Sequence, residues 1–158
     1  MDKLQIAILE IGHEEIPRGS NWGVHVQKYL NSVGIDFPAS WCMAFVFWCC
    51  EQSNPINPLI KTAGVLRQWN KIDPKYKFTT PVQGDIFIMD FGKGLGHTGF
   101  VESVHGNHIH TIEGNTNDEG TREGYEVCRR MRKISSCIGF IRLPNNKNNH
   151  LVESNKMV

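Results

Sequence analysis

The chain has 158 residues, with 17 Lys or Arg and 16 Asp or Glu, so its formal net charge is +1. This length is sufficient for one domain with its own core and too short for two full domains. Because the charge is balanced, composition gives no reason to expect a nucleic acid partner. The longest strongly apolar run, at 43–50, is far shorter than a membrane span, so we also expect no membrane-embedded segment.

Helical patterns dominate the first half of the chain. Apolar residues recur at helical spacing in 2–11 and again from about 20 to 33. Ser40 is predicted to cap a third helix at 41–52, which is apolar on nearly every side and therefore belongs in the core. A weaker helical pattern follows at 62–69.

Segments of strand length dominate the second half. They cover residues 85–91, 98–104, 108–113, 125–133 and 137–143. Glycine-containing turns separate the first three, which favours antiparallel hairpins. Helices followed by such strands predict an α+β fold, with N-terminal helices packed on an antiparallel sheet of about five strands. We expect a single domain at 1–143 and a polar tail at 144–158.

The cysteines indicate a reducing environment. They number five, and the N-terminus lacks the cleavage site of a secretory signal peptide. An odd number of cysteines without such a signal is typical of free thiols in a protein made in the cytoplasm. Their spacing matches no zinc ribbon.

Cys42 is the first candidate catalytic residue. It lies near the start of the third predicted helix, whose N-terminal partial positive charge favours a thiolate. Backbone N–H groups at that position can also face an oxyanion. Taken alone, a free cysteine is more often a small buried apolar residue, which is the role expected of the other cysteines.

His97 and Glu113 are predicted to meet in a hairpin. Folding their strands about Gly106-Asn107 places Glu113 opposite His97, where the carboxylate can accept the imidazole N–H. Asn115, two residues further on, can do the same or donate to an oxyanion. The alternative is a cross-strand pair without a catalytic role. Together with Cys42, however, these residues have the layout of a thiol hydrolase.

Five short segments resemble the CHAP family (cysteine, histidine-dependent amidohydrolase/peptidase) of the papain-like superfamily. They are SWCMAFV at 40–46, PVQGDI at 81–86, GHTGFV at 96–101, EGN at 113–115 and, upstream of the cysteine, EIPRGSN at 15–21. The resemblance extends from about residue 12 to residue 143, in the order typical of the family.

The resemblance implies a papain-like fold in which Cys42 is the nucleophile and His97 the general base and acid. Glu113 would orient the histidine, and Asn115 would be an auxiliary polar residue. The family mostly cleaves amide bonds of peptidoglycan, as N-acetylmuramoyl-L-alanine amidases or peptide-stem endopeptidases, through a thioester acyl-enzyme and without a cofactor. Asp36 stands where papain-like proteases have an oxyanion-hole Gln, so the second oxyanion donor is unassigned. We expect no metal site.

Peptidoglycan is therefore the expected partner of a monomeric protein, with an immunity protein in addition if the chain is injected into rival cells. Export through a holin, injection and attachment to a virion are the alternative routes to the wall. Trp41, beside the nucleophile, is predicted to line the substrate groove, with a core position as the alternative. The other function classes are a papain-like domain that binds without turnover and a thiol amidase on a non-wall substrate. The complete Cys/His/Glu set favours the enzyme.

Overall fold

The computed structural model of the protein describes residues 1–53, 57–114 and 124–144. The helices are α1 (Lys3–Glu10), α2 (Val24–Ser32), α3 (Cys42–Ser53) and α4 (Val65–Lys71). The strands are β1 (Lys77–Phe78), β2 (Ile86–Gly92), β3 (Leu95–His105), β4 (His108–Gly114), β5 (Val127–Lys133) and β6 (Gly139–Ile141). Short 3-10 turns precede β1 at Pro74–Tyr76 and β6 at Ile134–Ser136.

The element order confirms the predicted α+β fold, with helices first and an antiparallel sheet second. The described sheet has six strands rather than about five. The additional strand, β1, is two residues long, which is too short to show the alternation on which strand prediction depends. The tail predicted at 144–158 lies outside the described residues except for Pro144.

The sheet has the strand order β1-β6-β2-β3-β4-β5. Consecutive hairpins join β2 to β3 and β3 to β4, whereas β6 returns to pair with both β1 and β2. This order places β3 and β4 in the interior of the sheet and β5 at its edge, directly beside β4. Side chains from β3, β4 and β5 can therefore meet on one face.

The helices pack on one face of the sheet. The larger apolar core joins helix residues such as Leu30 and Phe45 to sheet residues such as Phe100 and Ile112. A smaller cluster comprises Phe87, Met89, Val101, Ile109 and Phe140. Because apolar burial is the main favourable term in folding, the larger core is what holds the helical layer against the strands.

α3 is the central helix of the larger core, as its apolar sequence predicts. Eight of its twelve residues are buried. The backbone N–H of Phe45 donates to the Trp41 carbonyl at 2.9 Å, so the helix begins at Cys42 and Trp41 is its cap. The predicted cap, Ser40, is one residue too early. No helix in the described ranges is long and apolar enough to span a bilayer.

Candidate active site

Cys42 is the first residue of α3 and its side chain is almost fully buried, with 2% of the residue exposed. The first four N–H groups of a helix have no partner within the helix and carry its partial positive charge. The side chain thus lies at the end of the helix where the negative charge of a substrate oxyanion is favoured. The sequence predicts Cys42 near the start of this helix, and in the structure it is one residue closer to the start than predicted.

His97 lies near the start of β3, paired with Met89 of β2, and only 1% of the residue is exposed. Its Nε2 is 2.8 Å from Oε1 of Glu113. An ionised carboxylate can only accept hydrogen bonds, so Nε2 carries the hydrogen. Among the described residues, Nδ1 has no hydrogen-bond partner of standard geometry, which leaves this nitrogen available as a base.

The Cys42 side chain lies close enough to His97 to raise the pKa of the imidazole. Burial by itself lowers the pKa of a histidine, because it disfavours the charged ring. The neighbouring Cys42 and Glu113 side chains outweigh burial and raise the pKa of His97 to about 10. Since Nε2 is occupied by Glu113, Nδ1 is the atom that can receive the thiol proton.

Glu113 is fully buried and accepts hydrogen bonds on both oxygens. Thr111 donates to Oε2 at 2.6 Å, and Arg132 donates to Oε2 at 2.8 Å and to Oε1 at 2.6 Å. Burial alone would raise the pKa of this carboxyl group. The hydrogen bonds and charges of Arg132 and His97 reverse that effect and lower the pKa to about 2. Glu113 is therefore a carboxylate at neutral pH.

The strand register corrects the predicted alignment of His97 and Glu113. β3 and β4 pair with Phe100 opposite Ile112, and continuing that register places Gly99, not His97, opposite Glu113. The turn is centred between Gly106 and Asn107, and the register shifts by one residue between Val101 and Ser103. The contact forms nonetheless, because long side chains reach diagonal neighbours across a strand pair.

Gly99 keeps this diagonal path open. A Cβ at this position would lie 2.7 Å from the backbone oxygen of Ile112, 2.8 Å from Cγ of Glu113 and 2.8 Å from the ring of Phe87. Any side chain here would therefore displace the carboxylate from His97. The glycine belongs to the GHTGFV segment, so the same short motif supplies His97 and the space for the side chain of Glu113.

Trp41 does not line a groove, contrary to the first of the two predictions made for it. The residue is fully buried, and its Nε1 donates to Oε2 of Glu15 at 2.8 Å. Its ring packs against Gly114, where a Cβ would lie only 2.7 Å from Cζ3 of Trp41. Trp41, which directly precedes Cys42, thus packs against Gly114, which directly follows Glu113, and its role is that of a core residue.

Glu15 and Arg132 contribute to the site and were missed as functional residues. Glu15 is 1% exposed, and its second oxygen accepts the Gly19 N–H at 2.7 Å, so it ties the 15–21 loop to Trp41. The only sequence signal for Glu15 was the resemblance of that loop. Arg132 lies in a basic cluster, 129–133, that is typical of a solvated strand edge, and sequence offers no sign that one of its members turns inward.

Two further sequence predictions concern Asn115 and Asp36. Asn115 lies outside the described residues, so its auxiliary role stays a prediction. Asp36 is exposed on the loop before α3. The backbone N–H of Cys42 is the donor that the helix start offers to an oxyanion, and the second donor stays unassigned.

One group in the described part of the chain has metal-binding residue types. Ligand atoms of Glu10, His13 and His25 lie within 4.8 Å of one another. The two rings stack nearly parallel, with their centroids 3.6 Å apart. Lys28 already places its ammonium 2.7 Å from Oε1 of Glu10. The carboxylate therefore already has a positively charged partner, and the expected absence of a metal stays a prediction.

Comparison with known proteins agrees with this geometry. The sequence profile of the CHAP domain matches residues 34–115, slightly more than half of the chain and the part that carries Cys42, His97 and Glu113. The chain belongs to the CHAP family. No curated protein sequence matches it significantly.

Solved structures support the fold of this CHAP domain. It is similar to the crystal structure of Ly7917 with a TM-score of 0.57 and 15% sequence identity, over 89% of this chain and 61% of that one. The structure of Ly7917 with the hydrolyzing product of MDP is also similar, with a TM-score of 0.50 and 17% identity over 65% and 53% of the two chains. The chain thus spans less than two thirds of Ly7917, and at such identity the likeness concerns the fold alone.

Proposed function

We propose that this CHAP domain is a cysteine-dependent peptidoglycan hydrolase, either an N-acetylmuramoyl-L-alanine amidase or a peptide-stem endopeptidase. The observation that carries the proposal is the buried contact between His97 and an ionised Glu113, with the Cys42 thiol beside the same ring. A binding module has no need of a base held in one orientation next to a thiol. The similarity to Ly7917, solved with the hydrolyzing product of MDP, supports a wall-derived substrate.

The first half of the proposed reaction forms an acyl-enzyme. The raised pKa of His97 favours the ring with the Cys42 proton on Nδ1, and the thiolate of the resulting thiolate–imidazolium pair attacks the carbonyl carbon of the scissile amide. The resulting oxyanion faces the N-terminus of α3, where the Cys42 N–H can donate. His97 returns the proton to the leaving nitrogen, so the C–N bond breaks and a C–S thioester remains.

The second half of the reaction releases the acid. A water molecule attacks the thioester carbonyl and gives its proton to Nδ1 of His97. The C–S bond then breaks, and the sulfur leaves as the thiolate or takes the proton back. Glu113 stays ionised throughout, holds Nε2–H and stabilises the imidazolium that forms in both halves.

The substrate is expected to approach past the β2–β3 hairpin. Phe91 and Leu95 are both large and exposed there, and the Phe91 ring lies nearly parallel to the His97 ring at 6.5 Å. An exposed apolar surface beside a catalytic base can hold the apolar part of a stem peptide. The route by which the protein reaches the wall, and an immunity partner, stay predictions from the sequence.

Digestion of purified peptidoglycan tests the proposal. Wild type is compared with Cys42→Ala and with Cys50→Ala, a matched control on the same helix with the same 2% exposure. We expect soluble fragments from wild type and Cys50→Ala and none from Cys42→Ala. In mass spectra, intact stem peptides freed from sugar identify an amidase, and shortened stems identify an endopeptidase. No fragments from folded wild type would contradict a wall substrate and favour either a thiol amidase on a non-wall substrate or the binding alternative.

A further inference from the structure

Arg132 reaches the catalytic carboxylate from the edge strand. Its side chain leaves β5, is only 12% exposed, and meets a Glu113 side chain that is not exposed at all. The guanidinium binds both oxygens, with Nε at 2.8 Å from Oε2 and Nη2 at 2.6 Å from Oε1. A planar fork on two carboxylate oxygens fixes the plane of that carboxylate as well as its position.

The three groups that bond Glu113 do not contribute equally. The Thr111 hydroxyl is neutral, and His97 changes its charge during the proposed reaction. Arg132 alone among these three carries a permanent positive charge. A buried carboxylate without a permanent counter-charge tends to take up a proton, because burial disfavours its ionised form. A protonated Glu113 would have one acceptor oxygen fewer and no charge to stabilise an imidazolium.

Arg129 provides a comparison on the same strand. It also binds a carboxylate through two nitrogens, with Glu102 at 2.9 and 3.0 Å. That pair is solvated, since 55% of the Arg129 side chain is exposed. Exposed pairs of this kind contribute little to stability. The Arg132 pair differs because its carboxylate, Glu113, is in direct contact with His97, the proposed base.

We propose that Arg132 is a positioning residue: it keeps Glu113 ionised and holds both of its oxygens so that Glu113 can orient His97. The expected effect of Arg132 on turnover rests on the proposed function, whereas its contact with Glu113 is independent of that function. Besides Arg132, the titratable groups around the carboxylate are His97 on β3, Cys137 after β5 and, through His97, Cys42 on α3. Burial raises the pKa of Cys137 to about 11, so this thiol adds no charge at neutral pH.

The test uses Arg132→Met, Arg132→Lys and the control Arg129→Met. The first readout is the titration of the Glu113 side-chain carboxyl, followed by its ¹³C chemical shift, which needs no substrate. The second is the pH profile of kcat/KM on peptidoglycan. Circular dichroism confirms the fold of each variant, and Arg132→Gln replaces Arg132→Met if the latter does not fold.

Loss of the charge in Arg132→Met should raise the pKa of Glu113 by about 1–3 units. The acid limb of the kcat/KM profile should move up by a similar amount. Arg132→Lys should keep most of the Glu113 ionisation, because the charge stays, yet lose several-fold in kcat, because an ammonium cannot bind both oxygens in one plane. Arg129→Met should match wild type in both measurements.

The two readouts separate the inference from the proposed function. An unchanged Glu113 titration in folded Arg132→Met would overturn the charge role of Arg132, and an unchanged kcat in Arg132→Lys would overturn its orienting role. If wild type releases nothing from peptidoglycan, the proposed function fails on its own. The carboxyl titration still decides the inference in that case.

Discussion

The indole Nε1 of Trp41 donates a 2.8 Å hydrogen bond to a Glu15 carboxylate that is almost completely buried. The other oxygen of Glu15 accepts the Gly19 N–H at 2.7 Å. The Glu15 carboxylate therefore accepts hydrogen bonds both from a loop backbone group and from Trp41, the residue that precedes Cys42. Through Trp41, which packs against Gly114, it also supports the end of the strand that carries Glu113.

Replacing Glu15 by Ala should destabilise the protein by about 1–3 kcal/mol, because the buried indole N–H of Trp41 loses its acceptor and the Gly19 N–H loses its bond to the same carboxylate. Urea unfolding measures this loss of free energy. Glu14→Ala is the matched control. Glu14 precedes Glu15 and makes only 3.4 Å contacts with exposed Arg18, so its loss should cost less than about 0.5 kcal/mol. Equal stability of the two variants would contradict the proposed support.

Gly99→Ala should lower activity more than stability. The new Cβ would stand 2.8 Å from Cγ of Glu113 and would push the carboxylate away from His97. Overpacking of this kind costs about 1–3 kcal/mol, while loss of the oriented carboxylate should reduce kcat at least tenfold. Gly64→Ala is the control, since its Cβ would meet nothing closer than 3.3 Å. Wild-type kcat in folded Gly99→Ala would show that the diagonal contact is dispensable.

Stability should fall as the pH rises from about 6.5 toward 10. The neighbours of His97 raise its pKa to about 10 in the folded protein, despite burial. The unfolded chain loses this proton near 6.5, so the stabilisation is complete below that pH and lost as the pH approaches the folded value. Urea unfolding at a series of pH values measures the decline.

Cys42→Ala is the comparison for this pH dependence, because it removes one of the two neighbours that raise the His97 pKa. Its stability should decline less, and at lower pH, than that of wild type. Glu113 acts in the opposite direction. Its lowered pKa, about 2, means that its contribution is present above 4.5 and lost as the pH falls toward 2. A wild-type stability that stays flat between pH 6.5 and 10 would argue against a stabilised imidazolium.

Phe91→Ala should raise KM for peptidoglycan fragments with a smaller change in kcat. The ring is 43% exposed beside His97, so it can bind substrate without taking part in proton transfer. An aromatic contact contributes about 0.5–1.5 kcal/mol, which corresponds to a change of about two- to tenfold in KM. Val104→Ala, 40% exposed at the other end of β3, should leave KM unchanged. A KM equal in both variants would place the substrate elsewhere.

Local patterns in the sequence predict the fold class and single out Cys42, His97 and Glu113. The apolar periodicity of 2–11 and 41–52 predicts helices α1 and α3, and the later strand-length segments predict β2 to β6. Cys42 at a helix start and His97 and Glu113 on a hairpin follow from these elements alone. The type and order of such elements depend on patterns among residues that are close in the chain, which is why the sequence predicts them, whereas their bounds differ from the predicted ones by a few residues.

The tertiary structure decided the exact register and the partners of Glu113. A one-residue shift in the pairing of β3 with β4, between Val101 and Ser103, places Glu113 opposite Gly99. No local sequence pattern predicts this shift. In the sequence, Arg132 cannot be distinguished from the solvated basic residues beside it. The pairing of β5 with β4 directs its side chain to the Glu113 carboxylate, 19 residues away. Trp41 and Glu15, 26 residues apart, likewise pair only when helix and loop pack. Such contacts depend on how the elements assemble, so only the packed chain determines them.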